Sequence, residues 1–293
     1  MYVDYRRSRQ PGTLSQRARP KGGQRRIPIR LLIGLAIAAF SVISFLATKQ
    51  TNPVTGEDQH IGITKEQEIA LGLQAAPEMA AQFGGLERDD QAQQVVDLIG
   101  EHLVNNSMAD QTEYPFDFNL LADDETVNAF ALPGGPIFIT DALMTRLETE
   151  GQLAGVLAHE IGHVIARHSA ERIAQQQLTE GLTGAWVLAT YDPSNPSTRQ
   201  QAQMAQMVAN MIQMKYGRED ELQSDDLGVK IMADAGYDPR SLIRVMEILA
   251  EASGGAQQPE FASTHPSPDN RIAQIQDAIE EEFPDGVPDD LIK

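Results

Sequence analysis

At 293 residues with 41% hydrophobic side chains, the chain is long enough to bury a sizeable core. Its formal charge of -19 at pH 7 is unevenly placed: nine Arg or Lys face only Asp4 in residues 1–30. The remainder is therefore more acidic still and repels phosphate backbones, which excludes nucleic acid as a partner, and the absence of cysteine excludes disulfides, thiolate nucleophiles and a lipoprotein anchor.

In chain order, Leu31 to Ala47 carries no charge and only Ser41 and Ser44 as polar residues, and Ile27 to Ile29 lengthens the apolar run toward ~20 residues, about one bilayer span. Residues 27–48 are expected to form a transmembrane anchor, with the basic tail 1–26 left in the cytoplasm and everything after Thr48 exported. A cleaved signal peptide is the rival, but the tail is long and no A-x-A cleavage pattern follows the apolar run. Residues 49–63, with Asn52, Pro53, Gly56 and Gly62, read as a linker to a single domain at 64–293.

Thr64 and Gln67 form a capping box for a helix to about Gln82, and Arg88 to Val104 has a second helical pattern. Phe116 to Leu121 alternates as a strand. Val127 to Leu132 and Ile137 to Thr140 flank Pro133-Gly134-Gly135-Pro136, which predicts two strands joined by a tight turn. Beyond Asp141 the pattern is helix or loop, so the fold class is α+β, mostly α-helical, with a small antiparallel sheet.

Thr149 and Gln152 cap a helix whose apolar face is Leu153, Val156, Leu157, Ile161, Val164 and Ile165. His159-Glu160-Ile161-Gly162-His163 lies in its middle. At 3.6 residues per turn His163 falls about 40° round the helix from His159, so both imidazoles can reach one ion. Glu160 is about 100° away, beside the ion rather than on it, where a base for an activated water has to be. In a chain with six His, an accidental H-E-x-x-H is expected roughly 0.01 times. Two imidazoles, a carboxylate and an open position suit Zn2+, one per chain.

The third ligand is not another histidine of the same motif, because Ala166 and Ser169 occupy the positions such a pattern needs. His168 does not substitute for it, being nine residues and thus about 180° from His159 on the same helix, and is expected to face the core or another helix. Glu221 and Asp225 share a helical face at i, i+4, so one can bind metal while the other accepts the second ring N–H of a ligating His. Glu219, Asp220 and Asp226 read as a solvated face.

Taken together, the His159–His163 motif, Glu221-x-x-x-Asp225, Asn128-Ala-Phe-Ala-Leu-Pro-Gly-Gly135 and Thr264-His265-Pro266-Ser267 resemble the gluzincin zinc metallopeptidase family of HtpX and the CAAX prenyl protease. The soluble arrangement is most similar to its BepA-like periplasmic and mitochondrial inner-membrane members. The resemblance implies a zincin-like peptidase fold over residues 64–293, with Glu221 as third zinc ligand and Asp225 orienting a ligand histidine. It also implies that the Asn128, Ala129, Phe130, Ala131 strand is an edge strand pairing with substrate backbone. His265 is implied to polarise the scissile carbonyl or to fill the open zinc position at rest. The implied activity is cleavage of unfolded or misassembled envelope proteins, a quality-control role, by a single-pass protein of the bacterial inner membrane with a periplasmic peptidase domain. No tetratricopeptide-repeat part is expected within these residues. The single visible span means that the prenylated substrates of multi-span relatives are not implied.

Between His163 and Glu221, Met204, Met207, Met211 and Met214 form an apolar stripe that reads as core packing or as an adaptable lid, with a break at Asp192 to Ser197. Two other functions stand beside endoproteolysis: a zinc-stabilised chaperone or binding module that holds unfolded envelope proteins uncut, and a zinc peptidase for short peptides.

Overall fold

A computed structural model describes residues 28–190, 216–253, 261, 265 and 270–293. The basic tail 1–26, the Met204 to Met214 stripe and the Asp192 to Ser197 break lie outside the described residues. Helix α1 (Ile29–Ala47) is, among the described residues, the one helix long and apolar enough to cross a membrane, and almost all of it is exposed. The hairpin β1 (Lys49–Thr51) and β2 (Asp58–His60) follows, then α2 (Lys65–Gln82), α3 (Asp90–Asn105) and a 3-10 turn at Met108–Thr112. The sheet strands are β3 (Asp117–Leu121), β4 (Ala129–Ala131) and β5 (Pro136–Thr140). The helices α4 (Asp141–Met144), α5 (Glu150–Ile165), α6 (His168–Thr190), α7 (Arg218–Asp234), α8 (Arg240–Ser253) and α9 (Arg271–Glu282) complete the order.

The Thr64 capping box forms as expected, with the Thr64 hydroxyl accepting from Gln67 N–H and the Gln67 side chain accepting from Thr64 N–H. The segment read as a linker is instead an antiparallel hairpin pairing Lys49 with His60 and Thr51 with Asp58. Its buried amides serve α5: Asn52 Nδ2 donates to the Ile165 carbonyl at 2.9 Å and Gln59 Nε2 to that of Ala166. The last carbonyls of any helix have no partner within it, and here the hairpin supplies the donors. Asn, Pro and Gly signal a turn equally in a linker and in a hairpin, so composition does not separate the two.

The sheet also differs from expectation. Its order is β3-β5-β4, antiparallel between β4 and β5 but parallel between β3 and β5 (Phe118 opposite Ile137, Leu120 opposite Ile139), so it is mixed. Alternation along a strand fixes its faces but not the direction of its neighbour. The β4–β5 turn depends on glycine at Gly134, with φ at 76°, where a Cβ would come 2.5 Å from the Ile69 backbone.

Helix α5 runs through the middle of the core, packed by α3, α7, α8 and strand β4. Every residue from Gly151 to Ile165 is buried, so α5 has no solvent face rather than the one apolar face its pattern suggested. Polar residues on such a helix must find partners inside the protein.

Candidate metal centre

His159 and His163 project from α5 toward α7, and the close approach of the two helices rests on Gly162, where a Cβ would lie 2.7 Å from the Ser224 hydroxyl. That hydroxyl donates to the His159 carbonyl, bonding the helices at the level of the motif. Glu221 and Asp225, one turn apart on α7, thereby face the two imidazoles, and all four side chains are almost wholly buried.

Four groups converge: His159, His163, Glu221 and His265 each offer one ligand atom, all within 4.8 Å of one another. The two Nε2 atoms of His159 and His163 are 3.1 Å apart, Glu221 oxygens lie 3.6 Å and 3.5 Å from them, and His265 Nδ1 is 3.4 Å from His159 Nε2 and 3.0 Å from Glu221 Oε1. Donors bound tetrahedrally to zinc at about 2.0 to 2.1 Å would be about 3.3 Å from each other, so the spacing and chemistry of this set fit that ion. Glu160 stands just outside: its nearer oxygen is 3.7 Å from His265 Nε2, and neither of its oxygens nor His265 Nε2 has a hydrogen-bond partner among the described residues.

The surrounding charges sort these groups. Burial opposes a proton on His159, but the hydrogen bonds it donates to Asp225 and Glu221 outweigh this and push that imidazole up to about 9. Burial, reinforced by the neighbouring His159, holds His163 well below the usual histidine range. Burial also opposes the charge on Glu221, yet the neighbouring His265 and the hydrogen bonds that Glu221 accepts from His159 and His265 keep it well below the usual carboxylate range. Burial raises Glu160, countered only in part by His265 and His159, which leaves it the more proton-seeking of the two glutamates.

Both histidines of α5 have their other ring nitrogen held. Asp225 Oδ1 lies 3.0 Å from His159 Nδ1, and Asp225 is clamped at 2.5 Å and 2.8 Å by the guanidinium of Arg271, the first residue of α9. Arg271 also reaches Glu221 Oε2 at 3.1 Å. Its charge more than offsets burial and keeps the Asp225 carboxyl below its ordinary range. His163 Nδ1 is 2.8 Å from His168 Nδ1, and His168 Nε2 is 2.7 Å from Gln223 Oε1. With His163 Nε2 facing the donor cluster, its Nδ1–H donates to His168, whose Nε2–H donates to Gln223; this chain fixes both tautomers.

His168 occupies that position because the helix does not continue through it. α5 stops at Ile165, Arg167 takes a left-handed φ of 61°, and α6 restarts at His168. The Arg167 guanidinium donates to buried Glu68 Oε2 at 3.0 Å and 2.8 Å, which anchors the break. Arg271, Gln223, Tyr216, whose ring stacks on His163 at 4.1 Å, and Phe261, stacked on His265 at 4.4 Å, were not singled out from the sequence. Nothing local marks them, since each acts across elements.

The Asn128 to Ala131 segment forms the β4 edge of the sheet, with its residues buried and Asn128 Oδ1 without a hydrogen-bond partner among the described residues. It is tied to the centre through Val127, whose carbonyl accepts from Phe261 N–H, and Phe261 in turn accepts from His265 N–H at 2.7 Å. A cavity of about 640 Å³ lies alongside, lined by Pro133 of the β4–β5 turn, Ser169, Arg172 and Gln176 of α6, and Gly217 and Asp220 by α7.

The sequence of the chain is similar to those of known proteases. The family described as "Peptidase family M48" matches residues 90–279. The chain is 30% identical over 249 residues to the "Beta-barrel assembly-enhancing protease" of Yersinia pestis, covering 83% of this chain and 50% of that protein. It is 30% identical over 252 residues to the protein of that name from Escherichia coli (strain K12), with the same coverage. It is 34% identical over 160 residues to the "Mitochondrial metalloendopeptidase OMA1" of Schizosaccharomyces pombe, covering 54% of this chain and 45% of that one. The chain thus spans about half the length of the curated relatives it matches.

Proposed function

The chain belongs to peptidase family M48, and from that premise we propose that it is a membrane-anchored zinc metalloendopeptidase that hydrolyses peptide bonds in unfolded or misassembled envelope proteins. The observation that carries the reading is the tetrahedral spacing of the donors with Glu160 beside them and not among them.

His159, His163 and Glu221 would hold the zinc, which when bound supplies the Lewis acidity that polarises a carbonyl and makes a water easier to deprotonate. Glu160 takes the proton of the attacking water and passes it to the leaving amine, a role its raised proton affinity suits. Asp225 and His168 orient the two imidazoles. The β4 edge, Asn128 to Ala131, holds substrate backbone through main-chain hydrogen bonds, which allows many sequences to be accepted. α1 anchors the chain in the bacterial inner membrane, its N-terminus cytoplasmic and the domain from residue 64 onward periplasmic; the basic tail beside the apolar helix supports this orientation.

One observation favours a second reading. With His265 at 3.0 Å from Glu221 and 3.4 Å from His159, four protein donors surround a single position, as in structural zinc sites, so a zinc-stabilised module that binds unfolded proteins without cutting them has the same ligands. The buried carboxylate of Glu160, without a hydrogen-bond partner among the described residues, favours the enzyme, since a structural site has no use for it. In the endopeptidase, His265 in that position is the resting arrangement and has to swing out for substrate to enter.

The full chain in detergent micelles, assayed for zinc content and casein digestion, tests the proposal. Wild type is expected to carry one zinc and to lose digestion with a chelator, and Glu160→Gln to keep the zinc while losing digestion by about 10² to 10⁴-fold. His265→Ala is expected to digest casein faster than wild type. Zinc retained in all three with none cutting casein would instead establish the binding module.

A further inference from the structure

α6 begins at the metal centre with His168 and ends beside the candidate membrane span. It packs antiparallel along α1: Gly181 faces Ser41, and a Cβ on Gly34 would lie 2.8 Å from the Ala185 carbonyl and 3.0 Å from Ala189 Cβ. Gly181, Ala185 and Ala189 recur every four residues and so form one face, which is the face against α1. The rest of this half-helix looks outward, and it is apolar. From Gly181 to Thr190 there is no charged side chain, Trp186 is 56% exposed, and Leu182 and Leu188 are each 38% exposed. On α1 the flanking Phe40 and Ile43 are similarly bare, at 71% and 65%. The two outward surfaces are continuous across a close helix contact, so a medium that covers one covers the other.

We propose that residues 181–190 of α6 are embedded in the bilayer beside α1, as a second membrane element of the chain. This rests on reading α1 as a bilayer span. Lipid is the occupant that fits, because the patch continues the outward apolar surface of α1 and carries no charge from Gly181 to Thr190. At 1.5 Å per residue Trp186 lies about 9 Å beyond Glu180, and His168 about 18 Å on the other side of it. The same rigid helix lines the 640 Å³ cavity with Ser169, Arg172 and Gln176, so the arm holds that cleft at a fixed, short distance from the membrane surface.

The sequence makes this easy to test, because Trp186 is the only tryptophan. The full chain is reconstituted in phosphatidylethanolamine and phosphatidylglycerol vesicles, with phosphatidylcholine nitroxide-labelled on its acyl chain as the lipid quencher and acrylamide as the aqueous one. Trp186 is expected to lose most of its emission to the nitroxide lipid and little to acrylamide. A second variant, Phe40→Trp combined with Trp186→Phe, reports on α1 separately. Lipid quenching of the α1 reporter in that variant, while Trp186 of the wild type responds only to acrylamide, overturns the embedded arm and leaves the anchor standing. Protection of Trp186 from both quenchers overturns it too, showing protein over the patch, and failure of lipid to quench either position removes the anchor and the arm together.

Discussion

The α5–α7 contact and the α1–α6 contact use the same backbone device toward opposite ends. In each, a glycine lets two helices approach closely, Gly162 against Ser224 in one and Gly34 against Ala185 in the other. Around Gly162 the flanking positions carry His159, His163, Glu221 and Asp225, all buried and cross-bonded. Around Gly34 they carry Leu, Phe, Ile and Trp side chains that face outward. Close packing alone therefore says nothing of chemistry. A buried polar contact stands only when each charge has a partner, whereas an exposed apolar one needs only a medium without water.

If that contrast is right, the polar contact should be fragile to loss of a single partner and the apolar one should not. The largest expected effect on stability is at Arg271, whose replacement by Leu leaves Asp225 and Glu221 buried without their cation. A loss of about 3 to 5 kcal/mol is expected in urea unfolding, and a loss under about 1 kcal/mol would mean that the guanidinium is not needed to hold the carboxylates. His168→Phe removes the acceptor for His163 Nδ1–H and should lower zinc affinity by about 10 to 100-fold in competition with a chelating dye, with unchanged affinity ruling out the His168 to Gln223 chain as an orienting device. Asn52→Ala deletes one donor to the carbonyl end of α5 and should cost about 1 to 2 kcal/mol in thermal unfolding; no change would return the hairpin to the role of a plain linker. The smallest effect is expected at Gly34→Leu, which forces α1 and α6 apart: the unfolding midpoint of the peptidase core should stay put while the emission of Trp186 shifts, and a core that melts earlier would show that the two regions are coupled.

Legibility in the sequence followed the same division. The pair His159 and His163 with Glu160 beside them was readable because all three lie on one helix, where spacing alone sets direction. Glu221 and Asp225 were readable as a pair on one face, but which of them faces the donor cluster follows from the Gly162–Ser224 contact. His168 is buried against another helix through Gln223, as expected, but its contact with His163 comes from the helix break at Arg167, whose guanidinium is held by Glu68 far away in the chain. Arg271 gave no signal at all, since an arginine at a helix start acquires its role only when α9 meets α7. The direction of β3 was lost for the same reason that its faces were found, because alternation is a property of one strand and direction a property of two.

The sequence by itself determined an apolar span, a helix bearing two imidazoles and an acid, and a second helix bearing two carboxylates, because each is written within a few residues of one element. Only the tertiary structure decided that His265 joins the donors, that Arg271 through Asp225 and His168 hold the two imidazoles in place, and that the second half of α6 lies along α1. Those outcomes depend on which surfaces meet across long stretches of chain, and no local period encodes that choice.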